Sequence, residues 1–186
     1  MSTSVFVDYA AIDPQPWRNG RGVTRNLFDD ADAAGHWTWR ISIAEITGTQ
    51  PYSAYPGVRR EQVALGPGDV ALTIDGREEL LHPEGIVVFD GEAEVVATPS
   101  EEGFLDLNVM TRRDAWTSEV RIVTAAAGAE ASVLDAGDAD VVVLVALADG
   151  CSVDGRTRDR LDATMLASGG PSTVAGRFVV ARLHRV

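Results

Sequence analysis

Two stretches of this 186-residue chain alternate apolar residues with positions that include Arg40 and Ser42 in one and Asp106 and Asn108 in the other. In Trp37–Ala44 (WTWRISIA), Trp37, Trp39, Ile41 and Ile43 alternate with Thr38, Arg40, Ser42 and Ala44. Strand side chains alternate between faces, so the apolar set forms a core face and Arg40 shares the other face with Ser42. That second face is solvent-directed in most antiparallel sheets and a polar pocket wall in a small barrel. Leu105, Leu107 and Val109 alternate in the same way with Asp106, Asn108 and Met110, which puts Asp106 and Asn108 on one face. A carboxylate there can pair with an arginine and fix its guanidinium. A guanidinium held in this way offers two parallel N–H groups to the carboxylate of a ligand. The alternative chemistry is a cofactor-free isomerase or lyase with Asp106 as base. Such sites pair a base with an acid of shifted pKa, and no histidine partner for Asp106 stands out, so binding is favoured over catalysis. A third reading leaves both polar faces solvated, as on an interaction protein without a pocket.

Two further segments are unusual. Pro16–Thr24 (PWRNGRGVT) joins an aromatic anchor, Trp17, to a glycine-rich turn in which Asn19 can bond local backbone. No βαβ pattern follows, so the glycines do not form a dinucleotide site. Gln50–Gly57 (QPYSAYPG), followed by Arg59 and Arg60, demands a shaped loop whose tyrosines can cover a cavity mouth.

The elements that must hold these residues are strands. Asp-Gly pairs at Asp75-Gly76, Asp90-Gly91, Asp149-Gly150 and Asp154-Gly155 punctuate β-type runs. Glycine accepts the positive φ of tight turns, which makes Asp-Gly a strong hairpin signal. Val70–Ile74, Ile86–Phe89, Val141–Leu147 and Arg177–Leu183 read as strands, and Ala125–Ala131 as the connection between halves. Asp75-Gly76-Arg77 recurs as Asp154-Gly155-Arg156, a weak internal repeat of the kind a duplicated β-unit leaves. The predicted fold is all-β, with two small barrels.

Composition excludes several function classes. The net charge of −12 opposes binding to nucleic acid or to an anionic membrane surface. All 16 basic residues are arginine, so lysine Schiff-base chemistry is excluded. The single cysteine, Cys151, forms no internal disulfide and sits among acidic turns that do not activate a thiol. The three histidines, His36, His82 and His184, have no metal-ligand spacing, so neither a metal nor another cofactor is expected. No apolar run approaches the roughly 20 residues of a membrane helix, and Met1–Asp13 has no secretory pattern, so the expected location is cytoplasmic.

Together the four segments resemble the HutD/Ves family, whose motifs are a W-(K/R)-N-G-x-G-x-T start, a W-R-I-S-I-A strand, a G-P-F-S-x-F-P-G-x-x-R loop and a D-x-N-x-M-x-R-R strand. They appear here in the same order as Trp17–Thr24, Trp39–Ala44, Gln50–Arg60 and Asp106–Arg113. Gln50 stands where the loop has glycine, Arg59 where aspartate is usual and Asn26 where glutamate is common. The resemblance implies an RmlC-like double cupin, with residues 1–115 as the motif-bearing half and 116–186 as the second. It also implies a sensing or regulatory role linked to histidine utilisation. Under it, Arg40, Arg60, Asp106 and Asn108 line one cavity, with Trp17, Asn19 and Ser42 beside them. The expected partner is a small anionic metabolite of the urocanate or N-formylglutamate type, with homodimer formation left open.

Overall fold

The computed structural model describes residues 3–17, 20–125, 132–167 and 170–186. Its chain forms two units, one of Asp13–Trp116 and one of Met1–Ile12 with Thr117–Val186. The first strand is therefore not part of the unit that follows it in sequence. β1 (Val5–Val7) pairs antiparallel with a strand over Ala163–Met165. A single 3-10 turn, Tyr9–Ala11, is the only helix among the described residues. No helix among them is long and apolar enough to cross a membrane.

The Asp13–Trp116 unit holds β2 (Gln15–Pro16), β3 (Gly22–Asp29), β4 (Trp39–Ile46), β5 (Gln50–Pro51), β6 (Val58–Gly66), β7 (Val70–Ile74), β8 (Arg77–Leu81), β9 (Ile86–Asp90), β10 (Val95–Pro99) and β11 (Phe104–Arg112). A six-stranded sheet runs β2-β3-β4-β11-β6-β9 and a four-stranded sheet runs β5-β10-β7-β8. Ile46, Ala64, Phe104, Val87 and Phe89 of the first pack against Val70, Leu72, Ile74, Val95 and Ala97 of the second. Alternation then dictates what else faces inward: Arg40, Ser42 and Ala44 with Ile46, Arg60 and Gln62 with Ala64, and Asp106, Asn108 and Met110 with Phe104. Away from Ile46, Ala64 and Phe104 the inward positions become mostly polar, with Ala44 and Met110 the apolar exceptions, so one end of the barrel is apolar and the other is lined largely with hydrogen-bonding groups. Ile41, Ile43, Val63, Leu107 and Val109 on the opposite face are also buried.

The second unit adds β12 (Trp116–Ala125), β13 (Ser132–Leu134), β14 (Val141–Ala146), β15 (Cys151–Val153), β16 (Arg156–Arg158), β17 (Ala163–Met165) and β18 (Ser172–Arg185). Its sheet runs β1-β17-β14-β18-β15-β16, with β12 and β13 also on β18. Val142, Leu144, Ala146, Cys151, Val153, Val174, Phe178 and Val180 fill its core, where Cys151 is a small buried residue.

The Asp-Gly pairs divide into two kinds. Asp75-Gly76 (φ 47° and 80°) joins β7 to β8, and Asp154-Gly155 (φ 50° and 75°) joins β15 to β16, each as a tight hairpin. Asp90-Gly91 instead leads from β9, which pairs with β6, to β10, which pairs with β7. It passes between sheets rather than closing a hairpin. Asp149-Gly150 likewise precedes β15, whose partners are β16 and β18, not β14. Of the Ala125–Ala131 connection, Ala125 ends β12 and residues 126–131 lie outside the described residues.

Candidate functional site

The polar end of the Asp13–Trp116 barrel opens into a cavity of about 640 Å³. Trp17, Arg40, Ser42, Arg60, Asp106 and Asn108 all line it. Asn19, the remaining candidate from the sequence, lies outside the described residues.

Strand register explains the convergence. Asn108 on β11 faces Ser42 on β4 and Gln62 on β6, while Met110 faces Arg40 and Arg60. Arg60, Asp106 and Asn108 are all buried, Asp106 to 1% exposure. Asp106 gathers three donors. Tyr52 Oη donates to Oδ2 at 2.9 Å, Gln62 Nε2 also donates to Oδ2, and Asn108 Nδ2 donates to Oδ1 at 2.5 Å. Arg60 Nη2 donates to Asn108 Oδ1 at 2.5 Å. The expected direct aspartate–arginine pair is thus a relay through Asn108. The carboxylate fixes the amide, and the amide fixes the guanidinium.

Electrostatics follow from this burial. Removal from water pushes the Asp106 carboxyl up to about 6, against the pull of its Tyr52, Gln62 and Asn108 hydrogen bonds and the Arg60 charge. Burial and the neighbouring Asp106 charge push Tyr52 well above its ordinary value. Burial also lowers the pKa of Arg60. Among the described residues no carboxylate lies within 4.0 Å of the Arg60 guanidinium, and its buried Nε has no hydrogen-bond partner. Tyr52 and Phe89 instead flank it, each ring centre 5.0 Å from Cζ. Arg40 sits 4.9 Å from the Trp37 ring and 5.6 Å from the Tyr55 ring, with a long 3.4 Å contact from Nη2 to Tyr55 Oη.

Several cavity residues were not singled out in the sequence. Trp37 precedes β4, escapes its alternation and lines the cavity rather than the core face. Gln62 does not line the cavity but holds Asp106 from behind it, and is legible only once Arg60 is known to face inward, because it lies two residues on. Tyr52 and Tyr55, read from the sequence as a cover for a cavity mouth, line the cavity, and the Tyr52 hydroxyl reaches buried Asp106. The start motif also becomes explicable. Gly20 has φ 69°, and its N–H donates to the Trp17 carbonyl at 3.0 Å. A Cβ at Gly22 would lie 2.6 Å from the Glu45 carbonyl oxygen and 3.0 Å from the Trp17 ring. Trp17 then donates from Nε1 to Thr24 Oγ1 at 2.7 Å. Gln50, the glycine replacement, donates from its buried amide to the Arg21 carbonyl at 2.7 Å, tying the loop to this turn.

The donor set does not fit a divalent cation. Both Asp106 oxygens already accept hydrogen bonds, and two guanidiniums share the cavity. Among the described residues no group of three or more His, Cys, Asp or Glu side chains could hold a metal ion. His36, His82 and His184 stand apart, beside Asp32, Asp69 and Asp138 respectively.

The HutD family model matches residues 9–176 of this chain. Protein Ves of Citrobacter koseri is 39% identical over 119 residues, 63% of this chain and 62% of that protein. The match thus spans less than two thirds of this relative's length. The structure of HutD from Pseudomonas fluorescens SBW25 superposes with a TM-score of 0.87 at 21% identity, covering 99% of this chain and 100% of that one. A conserved protein of unknown function from Pseudomonas aeruginosa PAO1 superposes at 0.81 with 22% identity, covering 98% and 99%. The fold is the all-β double cupin of the cupin and pirin-like structures.

Proposed function

The chain belongs to the HutD family, and from that premise we propose that the cavity of its Asp13–Trp116 barrel binds a small carboxylate and that binding serves sensing or regulation in histidine catabolism. One observation carries the reading. Arg60 is buried beside a cavity, is held by a neutral amide and has no carboxylate within 4.0 Å among the described residues. A buried charge is normally paired, because removing it from water is costly. A ligand carboxylate supplies the missing partner, and the guanidinium fork suits it. Arg40 adds a second positive charge to the same space, so the local field favours an anion although the whole protein is acidic.

The runner-up is a cofactor-free isomerase or lyase with Asp106 as base, favoured by a carboxyl that titrates near neutrality, at about 6. Its weakness is geometric. Tyr52, Gln62 and Asn108 already occupy both oxygens, so Asp106 serves better to position Asn108 and Arg60 than to take a substrate proton.

Urocanate and N-formylglutamate are the first candidates, because both carry the required carboxylate and belong to histidine breakdown. Calorimetric titration of the wild-type protein with each is the test. One-to-one binding of either acid is expected. No heat and no competition at millimolar concentration of any small carboxylate would overturn the reading.

A further inference from the structure

Resting on that carboxylate reading, we propose that the ligand also carries an N–H donor at its opposite end, on an ammonium, amide or azole, which is read by Asn26 and Asp29. These two residues are three apart, yet both line the cavity. A register shift between Asn26 and Phe28 breaks the alternation of β3, so that Asn26 faces Ser42 and Asp29 faces Arg40. The Asn26 amide nitrogen donates to Asp29 Oδ2, which turns Asn26 Oδ1 the other way. That oxygen is buried and accepts no hydrogen bond from the protein. An acceptor buried without a donor is destabilising, and a donor on a ligand relieves the cost.

Asp29 makes the second half of the case. It lies across the ladder from Arg40, but among the described residues it forms no ion pair with it. Its other oxygen accepts the Ala31 N–H at 3.0 Å. Arg40, across the ladder from Asp29, stacks on Trp37 and Tyr55 rather than pairing with it, so Asp29 keeps its charge at the β3 side of the cavity while Arg60 stands at the β6 side. Asn26, Ser42 and Asn108 form one row across β3, β4 and β11. With strands about 4.8 Å apart, Asn26 and Asn108 are roughly 10 Å apart along the sheet. An acid seated on Arg60 thus presents its far end to Asn26 and Asp29. The complement of such a polarised cavity is a small molecule with a carboxylate at one end and a donor at the other.

Paired calorimetric titrations test this. Urocanate carries a ring N–H; 3-(2-furyl)acrylate has the same carboxylate and nearly the same length and has none. Wild type should bind urocanate at least about tenfold more tightly, the worth of one hydrogen bond. Asn26→Ala and Asp29→Asn should each lower that ratio toward one, with thermal melting used to verify folding. Equal affinity for the two acids in wild type, with Arg60→Ala weakening both, would overturn this inference alone. A ratio unchanged in both folded variants would overturn the assignment to Asn26 and Asp29. Failure of both acids and of N-formylglutamate to bind wild type would overturn the inference together with the reading beneath it.

Discussion

Arg60→Ala is expected to weaken carboxylate binding by roughly one to two orders of magnitude. A hydrogen bond to a charged group contributes about 1.5–3 kcal/mol, which converts to that range of affinity. The deletion leaves Asn108 Oδ1 without its donor, which costs stability, but it also removes a buried charge with no carboxylate within 4.0 Å among the described residues, so the barrel should remain folded in the variant. Arg40→Ala should cost less. Arg40 is only half-buried, its hydrogen bonds are long, and Trp37 and Tyr55 hold it mainly by stacking. Calorimetry on both variants, with thermal melts as controls, checks the ranking. Wild-type affinity in both would remove the arginines from the site.

The second large effect is on stability against pH. Asp106 is raised from 3.8 to about 6 in the folded protein. Between these values the folded state holds a proton that the unfolded state has released, so stability rises as pH falls from about 6 to about 4. Two pKa units correspond to about 3 kcal/mol, an order-of-magnitude figure. Above about pH 6 the full cost of the buried charge is present and the contribution is flat. Asp106→Asn does not titrate and should lose this slope. Urea denaturation of both proteins at pH 7.5 and pH 5.0 measures it. The hydrogen-bonded Asp30, held below its ordinary value, acts in the opposite sense, but below this window. Identical pH dependence in the two proteins would show that Asp106 is not buried as a carboxylate.

What the sequence revealed depended on periodicity. Arg40 with Ser42, and Asp106 with Asn108, could be assigned to shared faces because β4 and β11 keep strict alternation through those positions. Whether that face met water or a cavity was not written in either strand. It depends on the four-stranded sheet closing over one end of the six-stranded one. Asn26 was visible only as a departure from the family's common glutamate, and neither it nor Asp29 could be placed in the cavity, because the irregularity in β3 shifts the alternation and nothing in GVTRNLFD marks it. Tyr52 was readable only as a loop aromatic, since its contact with Asp106 joins residues 54 apart. For the same reason a direct Asp106–arginine pair was the natural expectation, whereas Asn108 stands between them. Two of the four Asp-Gly pairs close hairpins, and the others pass to strands with different partners, a choice made by sheet packing beyond the turn itself.

A crystal structure of the protein with urocanate or N-formylglutamate tests the central claim most directly. The ligand carboxylate should lie inside the Asp13–Trp116 barrel, within hydrogen-bond distance of the Arg60 guanidinium, with Asn108 still holding that side chain. A ligand bound elsewhere on the chain, or seated in the cavity with its carboxylate turned away from Arg60, would contradict the account.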